Sequence, residues 1–377
     1  MEFVDLGRQY EIIKEKVDEG IKKVVDSRHF IMGSEIIELE ERLAKFTGRR
    51  YCLTCGSGTE ALQIPLMAYE MKKTDAVFVP SFTFFASAES VNLTGATPVF
   101  VDIDSTFNMS IESLEKEIQR VLHEGKLMPK GIIPVDLFGR SANYDKILAV
   151  AKKYGLFVLE DAAQGFGGSL HGKRNGSFGN VSATSFFPAK PLGCYGDGGA
   201  IFTDDEELFK KMKSIRAHGS GNDRYDNIRI GLNGRMDTIQ AAVVLAKLDI
   251  FEDELEARQM VAEWYTQELK DCLTVPETNS EYFSAWAQYT VLASDIQQRK
   301  KIIAEMKVKN IPVMIYYPIP LHKQTAYKNL DYGDVELPYC SAVAKRVFSL
   351  PMHPYLKQKE VKYICDSLRS IVNESHQ

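Results

Sequence analysis

Apolar and polar positions along this chain fall into two alternating rhythms. Ile12, Ile13, Val17 and Ile21 recur at helical spacing and predict a helix over 10–25, with a second over 36–46 after Gly33-Ser34. Strand patterns then appear at 50–54, 76–80, 98–103, 131–137 and 156–160, separated by helical patterns at 60–69, 84–93, 111–123 and 144–154. Short apolar strands alternating with helices predict an α/β fold, a mostly parallel central sheet with helices on both faces. Two more strands, 181–187 and 199–203, flank a glycine-rich turn, and a helix is expected over 206–216. The stretch 218–227 has glycines and no apolar period, the pattern of a mobile or partner-contacting loop.

From Thr238 to about Asp271 the pattern reads as one long helix, with a change of domain inside it. Beyond it, strands at 285–292 and 311–317, a helix opened by Ser294-Asp295, and helices near 339–346 and 357–372 describe a smaller C-terminal α/β domain. The expected division is an N-terminal arm and helix (1–30), a large domain (31–250) and a small domain (251–377).

Composition narrows the class. The 377 residues are 45% hydrophobic and 26% charged, the balance of a globular protein with a sizeable core. A net charge of -5 without a basic block argues against nucleic acid as a partner. No signal-peptide pattern or membrane-length apolar run is visible, so a cytoplasmic, membrane-free protein is expected. Cys52 and Cys55 have the spacing of a redox or zinc pair, but no second pair or nearby histidine completes a ligand set. They read as small core residues, and neither a disulfide nor a metal is expected.

Candidate chemistry sits where strands end. The run to Phe187 stops at Pro188, and Lys190 stands between Pro188 and Pro191. There it can join neither a ladder nor a helix, and its amine is free to face a cleft. Gly56-Ser57-Gly58-Thr59, between a strand and a helix, is an anion-binding turn, although many tight turns look the same. Asp161 ends an apolar strand, where open α/β sheets place their sites, and where a helix N-cap would also stand. Glu160 beside it is ambiguous. Phe84 follows another strand and would serve equally as a core residue.

The segment Thr184-Ser-Phe-Phe-Pro-Ala-Lys-Pro-Leu-Gly-Cys-Tyr-Gly-Asp-Gly-Gly-Ala200 resembles the cofactor-lysine segment of the DegT/DnrJ/EryC1/StrS family, pyridoxal-phosphate-dependent nucleotide-sugar aminotransferases. Similar wording recurs in Glu160-Asp-Ala-Ala-Gln164, Gly231-Leu-Asn-Gly-Arg-Met236, Tyr316-Tyr-Pro-Ile-Pro-Leu-His322 and Leu350-Pro-Met-His353, so the resemblance covers nearly the whole chain. It implies the aspartate-aminotransferase-like fold, fold type I. It makes Lys190 the Schiff-base lysine and the acid–base group, and puts Asp161 beside the pyridine nitrogen. Gln164 would contact the phenolic oxygen, Phe84 would stack on the ring, and Gly58, Thr59 and Ser185 would hold the phosphate. Asn233 would reach the phosphate of a neighbouring subunit, which implies a homodimer with shared active sites.

The resemblance also suggests a substrate. The lysine segment looks most like that of enzymes that aminate C3 of UDP-2-acetamido-2-deoxy-ribo-hexuluronate for bacterial O-antigen polysaccharide, with L-glutamate as donor and pyridoxamine phosphate as the intermediate cofactor form. A uronate needs a cation for its carboxylate, and Arg235 is the candidate. Tyr317 and His322 are expected at the sugar–nucleotide cleft, and His218 and Arg224 at the diphosphate. The alternatives are a 3- or 4-keto-6-deoxyhexose carried on dTDP or UDP, a sugar dehydratase on the same fold, and a non-catalytic sugar-binding protein. Dehydratase relatives carry histidine where Lys190 stands.

Overall fold

The computed structural model describes residues 1–223, 225–328 and 336–374. Its strands, in chain order, are β1 (Tyr51–Cys55), β2 (Asp75–Pro80), β3 (Thr97–Val101), β4 (Met128–Ile132), β5 (Phe157–Asp161), β6 (Ser169–Leu170) and β7 (Lys173–Arg174). They continue with β8 (Val181–Ser185), β9 (Gly199–Thr203), β10 (Tyr282–Phe283), β11 (Tyr289–Leu292) and β12 (Val347–Leu350). Seven form the main sheet in the order β1-β9-β8-β5-β4-β2-β3. Its pairings are parallel from β8 to β3, and β9 runs antiparallel between β8 and β1. Both faces are covered by helices, so residues such as Leu53, Val79, Leu159 and Ile201 are fully buried. Gly131 in β4 leaves room for the Phe157 ring of β5, which a Cβ there would strike. That ring in turn stacks on Tyr69 at 4.3 Å.

The expected long helix is two. Helix Thr238–Leu248 ends, Ile250 leaves the helical region at φ -111 and ψ 1, and helix Phe251–Leu269 begins. Three effects favour the break. Asp249 is held by Lys16 Nζ (3.0 Å) and Arg42 Nη2 (2.7 Å), both from the N-terminal helices. Phe251 is fully buried. Glu252, Asp253 and Glu254 then meet the positive end of the new helix. Around the second helix, Tyr265, Tyr289, Ile302, Phe348 and Ile364 form a separate apolar cluster.

Two strand assignments are corrected. Residues 311–317 are not a strand: only Met314 bridges, to Ser349. Pro312 has no N–H to donate, and Pro318 bounds the segment. β11 pairs instead with β12, antiparallel from Tyr289 opposite Leu350 to Leu292 opposite Val347. The run expected as strand over 285–292 is extended and paired only from Tyr289. Cys52 and Cys55 lie buried in β1 as core thiols, their pKa values pushed up by burial. Among the described residues, no helix is long and apolar enough to cross a membrane.

Candidate active site

The C-terminal ends of β5 and β8 and the start of helix Gly58–Ala68 converge on one cleft. Ser57 caps that helix, its Oγ accepting from Glu60 N (3.1 Å). The first-turn N–H groups of Gly58 and Thr59 lack intrahelical partners by the geometry of any helix start. Gly58 has no Cβ to spare: one placed there would stand 2.5 Å from Ser185 Cβ. The glycine therefore lets the helix start close against Ser185 at the end of β8. Helix N–H groups, the Thr59 hydroxyl and the Ser185 hydroxyl fit a phosphate.

The loop carrying Lys190 is stitched shut on itself. Phe186 N donates to Gly198 O (2.8 Å), Cys194 N to Phe186 O (2.7 Å), and Lys190 N to Phe187 O (2.9 Å). Gly193 lies so close to the Phe187 and Pro188 carbonyls that a Cβ would be 2.6 Å from each. Lys190 is half-buried by area, but its amine is enclosed enough that desolvation lowers its pKa, with Asp161 opposing the shift.

Asp161 is the last residue of β5 and 5% exposed. Its Oδ2 accepts from Ser87 Oγ (2.8 Å) and its Oδ1 from Ala163 N (3.2 Å). Burial raises its pKa, and both donors and Lys190 work against that rise. No helix begins at Asp161, so the N-cap reading falls. The adjacent Glu160 points to the other side of the pleat. There it accepts from Gly176 N, Phe178 N and Ser182 Oγ (2.7, 2.7 and 2.6 Å) and pins the turn after β7. Its role is structural.

The rim is aromatic. Phe84 is 55% exposed, unlike Phe82 two residues earlier, which is fully buried. The core reading of Phe84 is therefore overturned, and its face is open to a planar ring. Phe84 lies 6.3 Å from the Tyr317 ring, and Tyr317 Oη accepts from Gln164 Nε2 (3.1 Å). Gln164 Oε1 accepts from Phe138 N (2.8 Å), which fixes the amide's orientation. His322 is anchored on Ser81, Nδ1 to Oγ at 2.7 Å, and its backbone N donates to the same hydroxyl.

The other expected residues belong to the segment 218–235. Asn233 is exposed and bridges Ala217. Arg235 is half-buried, and its Nε has no partner among the described residues. Its backbone passes behind the phosphate turn, where Gly56 N donates to Gly234 O (3.1 Å). His218 is exposed with φ +60. Arg224 lies outside the described residues. Sequence reasoning missed Ser87 and Ser81. Nothing in their own neighbourhoods marks them, because each acts on a residue far along the chain.

Burial pushes His322 and the 2%-exposed His353 to about 4, against an ordinary value near 6.5. Between those limits these two histidines bind more protons in the unfolded chain than in the folded one, so their contribution to stability is lost as pH drops from about 6.5 to about 4, while the raised pKa values of the buried Asp136, Glu160 and Asp161 act in the opposite sense. The histidine contribution is read by difference: the urea midpoint of His353→Gln, relative to the parent, is expected to rise as pH drops over that range. A difference between the two proteins that is independent of pH there would contradict a neutral, buried His353.

The donors present fit pyridoxal phosphate: a phosphate cradle, an open aromatic face, a buried carboxylate, a fixed amide and an enclosed lysine. Known proteins agree. Residues 11–369 match the DegT/DnrJ/EryC1/StrS aminotransferase family. The UDP-2-acetamido-2-deoxy-3-oxo-D-glucuronate aminotransferase of Pseudomonas aeruginosa is 46% identical, covering 98% of this chain and 99% of its own. A UDP-N-acetyl-3-dehydro-alpha-D-glucosamine 3-aminotransferase of Acidithiobacillus ferrooxidans is 36% identical over 97% and 96%. The crystal structure of a DegT DnrJ EryC1 StrS aminotransferase from Brucella abortus superposes with a TM-score of 0.96 at 48% identity, over 99% of both chains. NtdA from Bacillus subtilis with bound cofactor PMP does so with a TM-score of 0.88 at 27% identity, over 96% of this chain and 82% of that one. This chain belongs to the DegT/DnrJ/EryC1/StrS aminotransferase family and is a fold type I, pyridoxal-phosphate-dependent aminotransferase.

Proposed function

We propose that the enzyme aminates C3 of UDP-2-acetamido-2-deoxy-3-keto-glucuronate, with glutamate as donor, in the cytoplasm, for a bacterial surface polysaccharide. The observation that carries the substrate is the 46% identity, over nearly the full length of both chains, to an aminotransferase named for that 3-oxo uronate.

Bound pyridoxal phosphate supplies the electron sink that lets an amino group pass between donor and sugar. The chain's own residues do the rest. Lys190 Nζ holds the cofactor, then takes the proton from the donor's α-carbon and later returns one to C3 of the sugar. Asp161, whose ionised form Ser87 and Ala163 N favour against burial, would hold a proton on the ring nitrogen. Gln164 orients the phenolic side, Phe84 covers the ring, and Gly58, Thr59 and Ser185 bind the phosphate. Tyr317 and His322 would border the sugar, and His218, exposed on its own chain, would serve the diphosphate.

A homodimer completes this reading. Asn233 is exposed on its own chain, free to reach the phosphate site of a second copy. Phe30, Met32, Phe187 and Ile230 expose 46, 40, 54 and 87% of their surface, apolar area suited to burial against that copy. The helix break at Asp249–Ile250 supports a large domain ending near 250, a small domain after it and an arm before 31.

The test is the reverse half-reaction, read as loss of the visible band of lysine-bound cofactor. UDP-2-acetamido-3-amino-glucuronate is expected to bleach it, whereas UDP-4-amino-4,6-dideoxy and dTDP-3-amino-3,6-dideoxy sugars are not. Bleaching only by another sugar would keep the class and overturn the substrate. Arg235→Ala is expected to weaken the uronate by about 30-fold, roughly 2 kcal/mol for an unpaired buried carboxylate, and to spare the 6-deoxy sugars. Equal losses would reject Arg235 as the carboxylate's partner.

A further inference from the structure

We propose that a second cavity, walled off from the Lys190 cleft, is a binding site for a single pyranose ring that carries no acidic group. The cavity measures about 340 Å³ and opens between the loop at 105–107, the turn at 137–140, helix Phe251–Leu269 and the segment 276–290. None of the residues assigned to the cofactor lines it.

Backbone strain marks the place. Nine described residues other than glycine have positive φ, and three of them, Phe107 (+65), Phe138 (+60) and Trp286 (+45), line this one cavity. Left-handed backbone at a bulky aromatic residue lowers stability and persists where the surroundings enforce it, commonly at ligand clamps. Here the enforcement is visible. Gly139 (φ +112) touches the Trp286 backbone so closely that a Cβ would collide with Trp286 N. Ala285 N donates to Gly139 O (2.9 Å), and Gln288 N to Phe138 O (3.3 Å). The two strained segments lock each other, and the result is three aromatic side chains set around one space.

The lining selects the ligand. Aromatic faces suit the C–H faces of a sugar, and the amides and hydroxyls around them, Gln288 and Thr106 included, suit its hydroxyl edge. Gln288 Oε1 is buried with no partner among the described residues. The one cation on the wall, Arg140, already donates to Glu277 O (2.6 Å) and lies 4.0 Å over the Tyr282 ring. Glu263 and Glu277 leave the wall with an acidic surplus, which disfavours phosphates and uronates. The volume is at the lower end of the range for small-molecule sites, about 300–1,000 Å³, so it takes one ring and not a nucleotide-linked sugar.

Occupancy would be felt in the cofactor cleft. Phe138 forms the shared wall: its ring meets Phe107 at 5.5 Å, and its backbone N–H is the donor that fixes Gln164. A ring pressed against Phe138 therefore acts on the amide that also holds Tyr317.

The sequence contains two tryptophans, Trp264 and Trp286, so Trp264→Phe makes Trp286 the sole reporter. In this holoenzyme, N-acetylglucosamine and glucose are expected to change Trp286 fluorescence saturably in the millimolar range. Glucuronate and glucose 6-phosphate are not. Thr278→Tyr, which plugs the exposed rim of the cavity, is expected to weaken the response by about tenfold or more. Saturation-transfer NMR on the unsubstituted enzyme and on Thr278→Tyr gives the same comparison without the tryptophan change. No saturable response, an equal response to the acidic sugars, or a response indifferent to Thr278→Tyr would each overturn the site.

Discussion

Lys190→Ala is expected to lose the visible band of lysine-bound pyridoxal phosphate and nearly all turnover. Proton transfer by a positioned group is worth about 10²–10⁴ in rate, and this lysine both anchors the cofactor and moves the proton, so the loss should sit at or beyond the upper figure. The loop from Phe186 to Gly198 is closed by its own backbone bonds, and Gly193 packs against the carbonyls before Lys190, so the loop holds Lys190 in one place. The amine is suited to the task because burial lowers its pKa, so deprotonation near neutral pH is easier than for a surface lysine. Lys190→Arg should be as inactive as alanine, since a guanidinium stays charged and cannot accept a proton. Absorbance from 300 to 500 nm and single-turnover kinetics with glutamate check both variants. A variant that keeps turnover would remove Lys190 from the mechanism, and with it the cofactor geometry argued around it.

Much of this was legible along the chain, for identifiable reasons. Two prolines isolate Lys190 from any ladder, and a strand ending in Glu160-Asp161 is a local pattern. The alternation of short apolar runs with helical spacing carried the main sheet, because strands buried on both faces must be apolar along their length. What stayed hidden depends on distant partners. The break at Asp249–Ile250 is tied to Lys16 and Arg42, more than two hundred positions away, while the local pattern stays helical throughout. β12 directly follows a helix with no turn signal, and only its pairing with β11 defines it. Glu160 and Asp161 are chemically alike in sequence. Their roles separate because successive residues of a strand face opposite sides, one towards the turn after β7 and the other towards Lys190.

Asp161→Asn tests the other half of the site. Asparagine keeps the size and the turn, since its side-chain oxygen can still accept from Ala163 N, but it carries no charge. A proton on the ring nitrogen is stabilised by the carboxylate's charge, so the variant should lose transition-state stabilisation without unfolding. The expected fall in turnover is about 10²–10³, the scale seen when one preorganised electrostatic group is removed. Ser87→Ala is the graded comparison. It removes one of two hydrogen bonds that favour the ionised form of Asp161 against the pull of burial, at 2.8 Å and 74 positions away in sequence. The carboxylate pKa should rise, so activity in Ser87→Ala should fall most steeply on the acid side of the profile, while the Asn variant is low at every pH. The lysine-bound band should persist in both variants, because Lys190 is untouched. Should Asp161→Asn bind the cofactor, show that band and turn over within about threefold of the parent, the assignment of Asp161 to the ring nitrogen would be wrong. The carboxylate would then serve only to set the charge and position of Lys190.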